Sequence, residues 1–199
     1  KGPMIINLMA VKYLIDSGVQ FNKRIRLFVG GAEETTFECI YKYSKNEEAP
    51  KYAYTPDSTF PVTYAEKGIL VFDYEAGEKI DFKLICDGAY NAVADITYYE
   101  GKKIEEVASE MEKQGYKYEV KDNKVYSYGV SAHAMETQRG VNAITRLANA
   151  MDIVGETCTL VDILANQIGE EKYGESIVGI VEDEVCGKLT FNVGNCFIE

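Results

Sequence analysis

Two adjacent glutamates close a glycine-led run, Gly30-Gly31-Ala32-Glu33-Glu34-Thr35, and a third acidic residue follows in Thr55-Pro56-Asp57-Ser58. Carboxylates are hard oxygen donors that bind zinc or manganese and also serve as general bases. An adjacent pair lets one glutamate hold a metal while its neighbour takes a proton from the water on that metal. The same pair also reads as an acidic loop beside a helix N-terminus, where the dipole favours negative charge, and Pro56-Asp57 as a simple turn. The only histidine, His133, stands between Ala132 and Ala134. Alone it reads either as a structural side chain or as a positioned hydrogen-bond donor.

Such residues work only if regular elements hold them. From Pro3 to Ile15, apolar residues at Ile5, Leu8, Met9, Val11 and Leu14 predict a helix, with a proline at its start and Ser17-Gly18 after it. Arg24 to Val29 alternates and runs into Gly30-Gly31, predicting a strand that ends at the glutamates. Thr35-Thr36 is placed to cap a helix over about 37–44, and Tyr52-Ala53-Tyr54 reads as a short strand stopped by Pro56-Asp57. Helix, strand, helix, strand is the order of a parallel α/β sheet, whose active residues gather where strands end in loops.

The pattern changes after Pro61. Strands are predicted over 68–74, 79–86 and 95–99, and a helix over 104–114 ended by Gly115. Two strands flank the turn signal Lys121-Asp122-Asn123. Helices follow over 140–151 and 159–168, then strands over 189–193 and 196–198, the last cut short. This part reads as an α+β domain with mainly antiparallel pairing, beginning near Glu66. No repeat of fixed period is present.

Of 199 residues, 46% are hydrophobic and 27% charged, a globular composition with enough apolar material for a core. Acidic residues outnumber basic ones by 32 to 21, a formal charge of -11 that argues against nucleic acid and anionic membranes as partners. Five scattered cysteines, with no CxxC pair, predict reduced thiols in a cytoplasmic protein. The start, Lys1-Gly2-Pro3-Met4, is not a signal peptide, and the longest apolar run is too short to span a bilayer.

Taken in order, several motifs resemble one family. They are Lys1-Gly2-Pro3; Arg26-Leu27-Phe28-Val29-Gly30-Gly31-Ala32-Glu33-Glu34; Pro56-Asp57-Ser58-Thr59-Phe60-Pro61-Val62; Glu66-Lys67-Gly68; Gly88-Ala89-Tyr90-Asn91-Ala92-Val93; and Ser131-Ala132-His133-Ala134-Met135. Together they resemble the Xaa-His (carnosinase-like) dipeptidase branch of the aminoacylase/carboxypeptidase two-zinc metallopeptidases. The resemblance implies that 1–65 is part of a catalytic α/β domain and that 66–199 is a lid domain, truncated at its C-terminus.

By the same resemblance, Glu33 is the general base, Glu34 a ligand of one zinc and Asp57 a ligand of the other. His133 is the lid histidine that polarises the scissile carbonyl and stabilises the oxyanion. Asn91 helps to hold the substrate, although Ala94 stands where the family has proline. The cofactor implied is two Zn²⁺ ions, with Mn²⁺ or Co²⁺ as substitutes. The family's other ligands, a bridging aspartate and two histidines, lie outside this chain, so it is expected to bind zinc weakly and to be inactive alone. The partner implied is a dipeptide, with self-association through the lid as a second expectation. The alternatives are a non-catalytic lid or assembly module, or a related deacylase or carboxypeptidase.

Overall fold

The computed structural model describes residues 1–33, 36–58 and 61–199. The chain divides into two units, Lys1–Tyr64 and Ala65–Glu199. It is a mixture of helix and strand in which every strand pairing among the described residues is antiparallel.

The first unit holds α1 (Gly2–Asp16) and α2 (Glu38–Asn46). Pro3 occupies the first turn of α1, where a missing N–H costs nothing. At the other end Gly18, at φ 75°, lets Val19 N donate to Leu14 O at 3.1 Å. Ile5, Ile6, Leu8, Met9, Leu14 and Ile15 spread over α1, yet none of its residues is buried. Helices apolar all round are normally core elements.

Arg24–Val29, expected as a strand, pairs with nothing among the described residues, and neither does Tyr52–Tyr54. Instead Arg26 donates to the Tyr43 hydroxyl at 2.7 Å, and the Phe28 and Tyr43 rings lie 4.5 Å apart. Alternation says which side chains share a face, but a strand also needs a neighbour to take its N–H and C=O groups. The N-cap of α2 is Phe37, at φ 55°, with no side-chain cap; one position earlier Thr36 Oγ1 accepts from Glu38 N at 3.4 Å, while Thr35 lies outside the described residues.

The second unit is built on a five-stranded sheet in the order β3-β4-β2-β1-β7. Its strands are β1 (Lys83–Cys86), β2 (Ile96–Glu100), β3 (Tyr118–Lys121), β4 (Lys124–Tyr128) and β7 (Cys196–Ile198). A small separate hairpin joins β5 (Glu182–Asp183) to β6 (Gly187–Lys188). Asp122 and Asn123 turn the β3–β4 hairpin at φ 50° and 56°, the left-handed pair that a two-residue turn of this twist requires.

Helices cover one face of the sheet. In α3 (Ile104–Lys113) acidic residues stand in the first turn and Lys113 in the last, matching the dipole. In α4 (Ala143–Ile153) Asn142 caps the start by accepting from Ile144 N at 2.9 Å. Val107 and Met111 of α3 and Ile144, Leu147 and Met151 of α4 are fully buried with Leu84, Tyr99 and Val125 of the sheet. The helix expected over 159–168 divides into α5 (Thr159–Asp162) and a π-helical turn, Ile163–Ile168; a four-residue α6 (Glu175–Val178) follows.

Three other expectations change. Residues 68–74 and 189–193 form no strand, and the strand expected from Lys79 begins at Lys83. The fifth sheet position goes instead to β7, which pairs Leu84 with Ile198 and Cys86 with Cys196. No helix among the described residues is long and apolar enough to cross a membrane.

Candidate functional site

The candidate residues fall on both units. In the first, Glu33 lies in an exposed turn after Gly30-Gly31, and Asp57 in an exposed loop. Phe37 N closes the turn by donating to Ala32 O at 2.9 Å. Glu34 lies outside the described residues. Neither the Glu33 nor the Asp57 carboxylate makes an ion pair or hydrogen bond among the described residues. No three His, Cys, Asp or Glu side chains come together there as a metal site. The donor chemistry suits zinc, but the described residues do not assemble a coordination shell.

In the second unit the chain brings Asn91 and His133 to one place. The connection from β1 to β2, residues 87–95, crosses the end of the sheet and meets the segment after β4. Ala92 and His133 form an antiparallel bridge; Val93 N donates to Ala132 O, and Ala134 N to Asn91 O, each at 2.8 Å. Asn192 adds a clamp from 100 positions away, its Nδ2 donating to Ala92 O at 2.8 Å. Nothing local in the sequence marks Asn192 for this.

Close backbone contact sets both segments. A Cβ at Gly88 would lie 2.2 Å from Gly194 O, and one at Gly129 would lie 2.0 Å from Val141 O, so only glycine fits at either point. Gly129 N also donates to Asp95 O at 2.8 Å, and Val130 and Val141 exchange a pair of hydrogen bonds at 2.9 Å.

Both candidate side chains are exposed. His133 caps a short 3₁₀ helix, Ala134–Arg139, that precedes α4. Its Nδ1 accepts from Met135 N at 3.2 Å. An imidazole nitrogen that accepts carries no proton, so the neutral ring is held as the tautomer with its N–H on Nε2. The outward nitrogen is therefore a donor. The Asn91 amide makes no hydrogen bond among the described residues and is free to meet a ligand. Nearby, burial pushes the Cys86 thiol up to about 11, with smaller contributions from the Asp95 and Asp87 charges.

No protein-family model matches the chain. It is similar to proteins named as putative dipeptidases. One is YtjP of Bacillus subtilis (strain 168), 27% identical over 225 residues; the alignment takes in 98% of this chain and 46% of the relative. Others come from Staphylococcus saprophyticus, 29% identical over 219 residues, and Staphylococcus haemolyticus, 29% identical over 217, with the same coverage of 98% and 46%. The chain thus spans about half the length of the curated relatives it matches.

Proposed function

We propose that this chain is part of a metal-dependent peptidase that hydrolyses dipeptides of the Xaa-His type. The observation that carries the reading is the loop pair. It presents the His133 Nε2–H donor and the free Asn91 amide from two segments locked by main-chain hydrogen bonds. Similarity over 98% of the chain to proteins named as dipeptidases supports the same class of reaction.

In this reading Glu33 takes the proton of the attacking water, and its exposed carboxylate, without a partner among the described residues, is open to that role. His133 donates from Nε2 to the carbonyl oxygen as negative charge develops there, and Asn91 helps to orient the peptide. Glu34 and Asp57 would supply oxygen donors to zinc, which when bound would lower the pKa of a water toward 7. Residues 1–65 belong to the catalytic domain, and 66–199 form the lid.

The test uses a protein carrying this chain within the full length of its relatives, assayed by chromatography on Xaa-His dipeptides. Glu33→Ala is expected to lower kcat by roughly 10²- to 10⁴-fold with bound metal unchanged. Asp57→Ala and Glu34→Ala should lose metal as well as rate. His133→Ala should cost about 10²- to 10³-fold in kcat, the usual loss of an oxyanion donor. The 199-residue chain alone should hydrolyse nothing with added zinc, manganese or cobalt. Near-normal turnover in Glu33→Ala would overturn the assignment, and preference for N-acyl amino acids would make the protein a deacylase instead.

A further inference from the structure

The sheet face opposite the helices is shaped by strand alternation. Leu84 and Cys86 of β1, Thr97 and Tyr99 of β2, and Val125 and Ser127 of β4 are buried against the helices. Because successive side chains of a strand point to opposite faces, Ile85, Ile96, Tyr98 and Tyr126 must stand on the other side. The register lines them up: Ile85 is opposite Tyr98, and Tyr98 is opposite Tyr126, with the two rings 5.7 Å apart. These side chains and the 87–95 connection line a half-open hollow of about 350 Å³. That volume falls within the roughly 300–1,000 Å³ of small-molecule sites.

The charge in this hollow has one sign. Asp87 follows the last residue of β1 and Asp95 precedes the first of β2, so two neighbouring strand ends put both acidic residues among those that line it. Neither carboxylate has an ion pair or hydrogen-bond partner among the described residues, and no lysine or arginine lines the hollow. On the same row Lys124 is engaged elsewhere, 4.0 Å from the centre of the Tyr98 ring and 3.2 Å from Glu100. Aromatic and aliphatic walls with acidic residues and no basic one at the end of the strands fit an ammonium on an aliphatic stem and repel an anion.

We propose that this hollow is a binding position for a lysine-type side chain of a peptide ligand. The connection that roofs it also carries Asn91, so an occupant lies on the same loop as that candidate substrate contact. The proposal rests on the peptidase reading only in taking the ligand to be part of a substrate.

The test is binding to the ¹⁵N-labelled 199-residue chain, followed by NMR, with Nα-acetyl-lysine methylamide and its norleucine counterpart. Saturable shifts are expected at Ile85, Ile96 and Tyr98, with the lysine compound bound about threefold to tenfold more tightly. Asp87→Asn with Asp95→Asn should bring lysine down to the norleucine affinity and leave norleucine unchanged. Tyr126→Ala, on the face away from the core, should weaken both. Equal affinity of the two compounds for the unaltered chain, or shifts confined to residues outside the hollow, would overturn the proposal. No turnover is measured, so that failure would leave the peptidase reading standing, and loss of the Glu33 assignment would leave this result untouched.

Discussion

In Lys1–Tyr64 no described residue is buried, although α1 alone carries seven large non-aromatic hydrophobic side chains in the open. In Ala65–Glu199 a continuous core joins β1, β2, β4 and β7 to α3, α4 and the 159–168 helix, with Leu84, Tyr99, Met111, Ile144, Leu147 and Met151 fully enclosed. Burial of apolar area is what stabilises a fold, and each fully buried aliphatic side chain contributes roughly 1.5–3 kcal/mol. Secondary structure in the first unit therefore rests on local helix formation and a few surface contacts, whereas in the second it rests on packing. The candidate residues follow this division. Glu33 and Asp57 sit in a unit without buried residues among those described, and Asn91 and His133 sit on two segments joined by main-chain hydrogen bonds.

The sharpest way to break the comparison is to separate the units. Residues 65–199 expressed alone should keep one cooperative thermal transition, and residues 1–64 alone should show none; circular dichroism distinguishes the outcomes. A cooperative transition in 1–64 would refute the contrast. Next in size is Leu147→Ala in the core, expected to cost about 2–5 kcal/mol in urea unfolding. Leu8→Ala on exposed α1 should change stability by less than about 0.5 kcal/mol.

A smaller effect is expected at alkaline pH. Burial raises Cys86 to about 11, Cys196 to about 12 and the Tyr99 phenol to about 12, from ordinary values of 9.0 and 10.0. A raised pKa in the folded state means the unfolded chain releases these protons first. The stability they contribute is complete below about pH 9 and is lost as pH rises through 11 and 12. The urea midpoint of the second unit should fall between pH 9 and 11, and Cys86→Ala with Cys196→Ala should flatten that fall. The smallest effect concerns Ser127, whose hydroxyl is fully buried without a hydrogen-bond partner among the described residues. Ser127→Ala should be neutral or stabilising by up to about 1 kcal/mol, because it removes an unsatisfied polar group.

Reading the sequence alone located α1, α2, α3, α4 and the β3–β4 hairpin, because each is encoded within one short stretch. Helical spacing, Pro3, Gly18, Gly115 and the Asp122-Asn123 turn are local signals, and the hydrogen bonds they predict close within a few residues. The same local reading named Glu33, Glu34, Asp57, Asn91 and His133 as a candidate set from their motifs.

Tertiary structure decided the rest, since the partners are far apart in the chain. Arg24–Val29 has a strand's alternation and no strand partner among the described residues, whereas Cys196–Ile198, also predicted as a strand, becomes one because β1 pairs with it. His133 gains its place from Ala92, 41 positions earlier, and from glycines that admit backbone against backbone. The hollow beneath 87–95 exists only once β1, β2 and β4 are in register. Side-chain period and turn chemistry are properties of a segment, but pairing, burial and the meeting of two loops belong to the whole folded chain.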